Sequence, residues 1–187
     1  LLPLFPLQSV AHMPLTDGST KFALSNEDSI ATAPIITNGL LPTIGKKYTY
    51  YPSFEETGEK TTYKLLKSPG FAELLTVDGL GYAFIETNDA FEMGVANSGV
   101  FFFSLAYPMK QTSSIIDTDY GFGGTNTHTK VHVLQTAQTI KTPAGTFKNV
   151  VMLEYPNGFT LYIAKGYGII KATNAKSETT IELVNVK

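Results

Sequence analysis

The sequence predicts an all-β protein with at most one short helix, arranged as an antiparallel curved sheet, a half-barrel or a barrel. Composition is the first reason. Apolar residues make up 43% of the chain and charged residues 16%, and ten Tyr, twelve Phe and about two dozen Thr supply the types that pack well on a pleated surface. The second reason is periodicity: apolar residues fall in short runs of strand length, and a helix start is legible at one place alone. The third is turn chemistry. Pro143–Gly145 and Pro156–Gly158 set φ-restricted and φ-permissive residues side by side, as tight hairpin connections require. A length of 187 residues fits one domain with a sizeable core.

The elements follow in order. Residues 1–38 mix prolines, small polar residues and two apolar runs, Phe22–Leu24 and Ile30–Ile36, and read as an extended arm carrying one or two edge strands. Residues 39–187 read as a single antiparallel β domain. Its first hairpin runs from LLPTIGKKYTYYPSF through EETGEK to TTYKLLK, with Gly58 at the tip. Ser68–Leu75 follows, with Pro69 as the helix start. Gly81–Thr87, Ala90–Val95 and Val100–Ala106 are strands, the last apolar except for Ser104 and therefore expected to be buried on both faces. Thr129–Ile140 is expected to be a long strand with Val131 and Val133 on one face and His132 and Leu134 on the other. Thr146–Tyr155, Phe159–Ala164, Gly168–Thr173 and Glu178–Val186 complete about ten strands.

Several function classes are disfavoured. All fourteen basic residues are Lys and the formal charge is −2, so the chain lacks both the guanidinium fork and the cationic surface on which nucleic-acid binding depends. Cysteine is absent, which removes disulfides, thiolate zinc sites and thiol nucleophiles. The opening LLPLFPL is too short and proline-broken to span a membrane, and a start at Leu1 points to a removed leader, with membrane attachment only through that leader or a lipid anchor.

The pair TIKTPAGTFKNVV and LYIAKGYGIIK, between Thr139 and Lys171, resembles an uncharacterised family of bacterial exported proteins and lipoproteins. In that family a PAGTF hairpin precedes a Y-x-A-x-G-x-G-x-V/I-K strand. LLPTIGKKYTYY resembles the P-L-x-x-G-x-x-W-x-Y opening of the same proteins, with Leu41-Pro42 in swapped order and Tyr48 in place of Trp. The resemblance covers about a third of the chain. It implies a curved antiparallel sheet similar to that of bacterial lipoprotein carriers and an extracytoplasmic location, secreted or membrane-anchored. It implies no catalytic residue.

The candidate chemistry is sparse. His128 and His132 are spaced i,i+4, but on a strand that separation is roughly 13 Å, too far for one ion, and two solvent-facing histidines are the simpler reading. His12 lies in the arm. Asp117–Asn126 (DTDYGFGGTN) has the oxygen density of a calcium loop, with Asp117, Asp119 and Asn126 as candidate ligands, but Phe122 at the sixth position and His128 at the twelfth rule out an EF-hand. No phosphate loop or nucleophile elbow is present, so no catalytic residue is assigned. Glu86, Asp89 and Glu92 read as strand-edge charges. The aromatic supply alone has a binding character: Tyr48, Tyr50, Phe101, Phe103 and Tyr107 are the candidate lining of a concave apolar face. These readings converge on a non-enzymatic exported domain that binds a hydrophobic small molecule or an envelope protein on that face, without a cofactor unless calcium. The alternative is a surface adhesion module that works through exposed loops.

Overall fold

The computed structural model describes residues 32–55, 57–69, 71–76, 79, 81–96, 98, 100–120 and 126–187. Among them twelve strands follow one another round a closed antiparallel barrel in chain order. The first half is β1 (Lys47–Tyr50), β2 (Thr61–Ser68), β3 (Phe71–Leu75), β4 (Gly81–Glu86), β5 (Ala90–Val95) and β6 (Phe101–Ala106). The second half is β7 (Ser114–Tyr120), β8 (Asn126–Thr142), β9 (Gly145–Glu154), β10 (Thr160–Ala164), β11 (Gly168–Thr173) and β12 (Thr179–Val186). Closure rests on β1, which pairs with β2 on one side (Tyr48↔Tyr63) and with β12 on the other (Tyr48↔Val186, Tyr50↔Leu183). A closed sheet has no exposed edge to be capped.

Ten of these strands coincide with the sequence-based assignment, and two do not. Ser68–Leu75 contains no helix: Ser68 ends β2 and Phe71–Leu75 is β3, whose Ala72 and Leu74 point inward at strand period. Its partners decide the outcome, because Ala72 sits opposite Phe84 and Leu74 opposite Leu65, which buries an apolar face that an isolated helical turn would leave exposed. β7 carries no apolar alternation, since Asp117 and Asp119 occupy positions of its inward parity, and so gives no strand signal in sequence.

Inward positions form the core. Tyr48, Tyr50, Tyr63, Phe84, Phe91, Leu65, Leu74, Leu105 and Leu153 are fully buried, and cross-strand pairs such as Phe84↔Met93, Met93↔Phe103, Ile115↔Val131 and Val133↔Leu153 carry the packing round the barrel. The turns behave as their chemistry dictates. Pro143-Ala144 forms the two-residue connection between Thr142 and Gly145, and Gly158, at φ +80°, donates its N–H to the Tyr155 carbonyl at 2.9 Å.

β6 departs from the expectation of a strand buried on both faces. Both Phe101 and Phe102 lie opposite Gly94, since Met93 pairs with Phe103 and Gly94 with Phe101; Phe102 is the extra residue of a bulge. On the other side the register slips by one residue between Phe101↔Tyr120 and Leu105↔Asp117. Phe102 remains 47% exposed. Gly94 is required here: a Cβ would collide with the Val100 carbonyl oxygen.

The two ends of the barrel differ. At the end where β1 begins, the segment before it crosses the opening. Ile36 and Met109 exchange two backbone hydrogen bonds (3.0 and 2.9 Å), Thr43 donates its N–H to the Gly166 carbonyl (2.9 Å), and Gly166 donates its own to Gly39 (2.8 Å). Leu40 and Met109 are buried there, and Glu86 Oε1 accepts hydrogen bonds from both the Leu40 N–H (2.8 Å) and the Tyr107 hydroxyl (2.6 Å). This plug seals one mouth.

Candidate functional site

The opposite mouth holds a cleft of about 440 Å³. Its walls are the upper inward residues of several strands, Tyr82, Met93, Phe103, Leu161 and Ile181, together with Phe54 and Phe159 from the connections that follow β1 and precede β10. The bulge in β6 adds Phe102 to the rim. An aromatic series leads from core to rim. Tyr50 packs on Phe54 (ring centroids 4.6 Å apart), Phe54 on Tyr82 (5.1 Å) and Tyr82 on Phe102 (6.0 Å). Burial, followed by the nearby charge of Glu55, pushes the Tyr82 phenol up to about 12.

Asp117 is the charged side chain of the lining. It is 5% exposed. The β6–β7 slip takes the Ser104 N–H out of the regular ladder, and Asp117 Oδ1 accepts it at 2.8 Å, while Oδ2 accepts the Tyr155 hydroxyl at 2.9 Å. Tyr155 is in turn held edge-on by Phe159, with ring centroids 5.7 Å apart. Burial raises the pKa of Asp117; the Ser104 and Tyr155 hydrogen bonds oppose that shift, and Asp119 adds to it. Tyr155 is pushed far above the ordinary phenol range, by burial first and then by the Asp117 charge it faces. No lysine or histidine lies within ion-pair distance of Asp117 among the described residues, where the one ion pair joins Lys171 to Glu182 on the β11–β12 wall.

Of the aromatics singled out from sequence, Phe103 lines the cleft. Tyr48 and Tyr50 lie in the core, their hydroxyls donating to the carbonyls of Thr43 (3.1 Å) and Ile169 (2.8 Å). Phe101 faces outward against Tyr120, with ring centroids 6.0 Å apart. Tyr107 sits at the sealed end on Glu86. Of the candidate calcium ligands, Asp117 and Asp119 share the inner face of β7. Asn126 pairs with Tyr120, one register position beyond Asp119↔Thr127, so it leaves the sheet on the other face. Residues 121–125 of that loop, and His12, lie outside the described residues. No three His, Asp or Glu side chains gather closely enough to hold a metal ion among the described residues. His128 and His132 are exposed on the outer face of β8, each in hydrogen-bond contact with the hydroxyl opposite, Thr118 and Ser114, at 3.1 Å.

Sequence reasoning missed Tyr155, Phe54, Phe159 and Tyr82. In the structure Phe54 and Phe159 fall just outside β1 and β10, whereas the sequence reads both as parts of the strand runs, so no local signal set them apart. No family model matches the chain, and no curated protein matches it. Among solved structures, a "putative lipoprotein" from Parabacteroides distasonis is similar at 12% identity with a TM-score of 0.41, over 81% of this chain and 100% of that one.

Proposed function

We propose that this protein is a non-enzymatic, exported binding domain that takes a small, largely apolar molecule into the cleft at the barrel end opposite the plug. The cleft carries the proposal. Its volume of about 440 Å³ lies within the range of small-molecule sites, which run from roughly 300 to 1,000 Å³, and its wall is aromatic and aliphatic with a few convergent polar groups. Asp117, Tyr155 and Asn157 supply that polarity. Asp117 accepts one structural hydrogen bond on each oxygen, from the Ser104 N–H and the Tyr155 hydroxyl, and Asn157 Oδ1 accepts the Phe159 N–H at 3.0 Å. Export is supported by the motif resemblance between Thr139 and Lys171.

The test is a titration with the neutral fluorescent probe N-phenyl-1-naphthylamine. Saturable, one-to-one enhancement is expected for the wild type, weakened in Phe102→Ser, a rim change that leaves the core untouched. Absence of saturable enhancement, or an undiminished signal in Phe102→Ser together with Leu161→Asn, would overturn the assignment.

A further inference from the structure

We propose that the ligand carries a protonated amine, or an equivalent cationic nitrogen donor, and that it seats this group on Asp117 while its apolar body fills the cleft; this inference rests on the binding reading above. Asp117 is nine-tenths buried on an apolar wall, yet no cation among the described residues neutralises it. A buried carboxylate without a countercharge is costly, and such groups are normally paired. The fold has committed two donors to it, the Ser104 N–H and the Tyr155 hydroxyl, one on each oxygen. A carboxylate offers about four acceptor positions, so two hydrogen bonds leave acceptor capacity unused. Because Asp117 lines the cleft, a bound molecule can reach that capacity.

The same arrangement discriminates between ligand head groups. Both donors point at Asp117 and are spent on it, so neither is free to receive a ligand acceptor. Among the described residues no lysine lines the cleft, and Asp119, itself exposed, follows at the next position of the same parity on β7. A ligand carboxylate or phosphate would therefore meet like charge in a poorly solvated site, whereas an ammonium would supply the missing countercharge. Hydrogen bonds to charged groups are the stronger class, and the low-dielectric wall reinforces them.

The experiment displaces N-phenyl-1-naphthylamine with octylamine, 1-octanol and octanoate at neutral pH, which share an apolar body and differ in head group. Octylamine is expected to displace the probe at a concentration about tenfold to a hundredfold below that of 1-octanol, with octanoate weakest. The advantage should vanish in Asp117→Asn, which can still accept the Ser104 N–H, and persist in Tyr155→Phe, which keeps the carboxylate. Equal displacement by the three compounds, or preference for octanoate, overturns the inference while leaving the binding reading intact. If the probe and all three compounds fail to bind, the binding reading falls and this inference falls with it. Should Asp117→Asn fail to fold, the head-group ranking on the wild type decides the matter alone.

Discussion

Replacing Tyr50 by Phe separates a core tyrosine from a ligand-contacting one. The Tyr50 ring is 1% exposed and packs against Phe54 and Tyr63, and its hydroxyl donates to the Ile169 carbonyl at 2.8 Å, where the β10–β11 register shifts. Phenylalanine keeps the ring and its packing, so the change isolates the hydroxyl. The loss leaves a buried carbonyl without that partner, at a cost of about 2 kcal/mol. For a chain of this size, that corresponds to a fall in Tm of about 4–8 °C. Thermal unfolding followed by circular dichroism measures the shift, and N-phenyl-1-naphthylamine affinity is measured on the same samples. Tm should drop and affinity should hold, because Tyr50 stands one ring behind the cleft wall. An unchanged Tm together with a loss of affinity would refute the placement of Tyr50 in the core and restore it to the binding surface.

Glu86→Ala should lower Tm by more than Tyr50→Phe, since it strips the partner from both the Leu40 N–H and the Tyr107 hydroxyl beneath the plug; Glu86→Gln, which retains one acceptor oxygen, should recover part of the loss. Adding a chelator should leave Tm unchanged, because Asn126 projects from the other face of the sheet from Asp117 and Asp119; a fall on chelation restored by calcium would show a specific ion bound to the folded state. In alkali, Tyr48 ties ionisation to unfolding. Burial holds its phenol up at about 12 against a usual 10.0, so its contribution to stability is complete below pH 10 and is lost as pH rises towards 12. A tyrosinate absorbance rise that includes a component coincident with loss of the circular dichroism signal is expected. Complete ionisation of every tyrosine near pH 10 with the fold intact would contradict it.

Legibility from sequence followed physical scale. Hairpin chemistry is local, so the turns at Pro143–Gly145 and Pro156–Gly158 and the ten strands around them were readable from neighbouring residues alone. β3 and β7 were not, for opposite reasons. β3 owes its conformation to partners on β2 and β4 rather than to its own five residues, and β7 breaks the apolar alternation because Asp117 answers to the bulge across from it. The bulge itself leaves no mark in FFF beyond the glycine at position 94, which is seven residues away and on another strand. The cleft was least visible. Its wall unites Phe54 with Phe159 and Ile181, residues far apart in sequence that meet because β1 pairs with β12, and ring closure is a global property that no window of sequence reports.

Strand number accounts for the existence of the cleft. An eight-stranded barrel has an interior that side chains just fill, and diameter grows with each added strand. Twelve strands therefore enclose more space than even large inward residues such as Tyr48, Tyr50, Tyr63, Phe84 and Phe91 can occupy along the whole axis. At the sealed end the shortfall is met by chain: Leu40 and Met109 are driven in, and Glu86 receives the backbone N–H of Leu40 that this insertion would otherwise leave unpaired. At the other end, among the described residues, Phe54 and Phe159 line the cleft together with the upper inward residues of the strands.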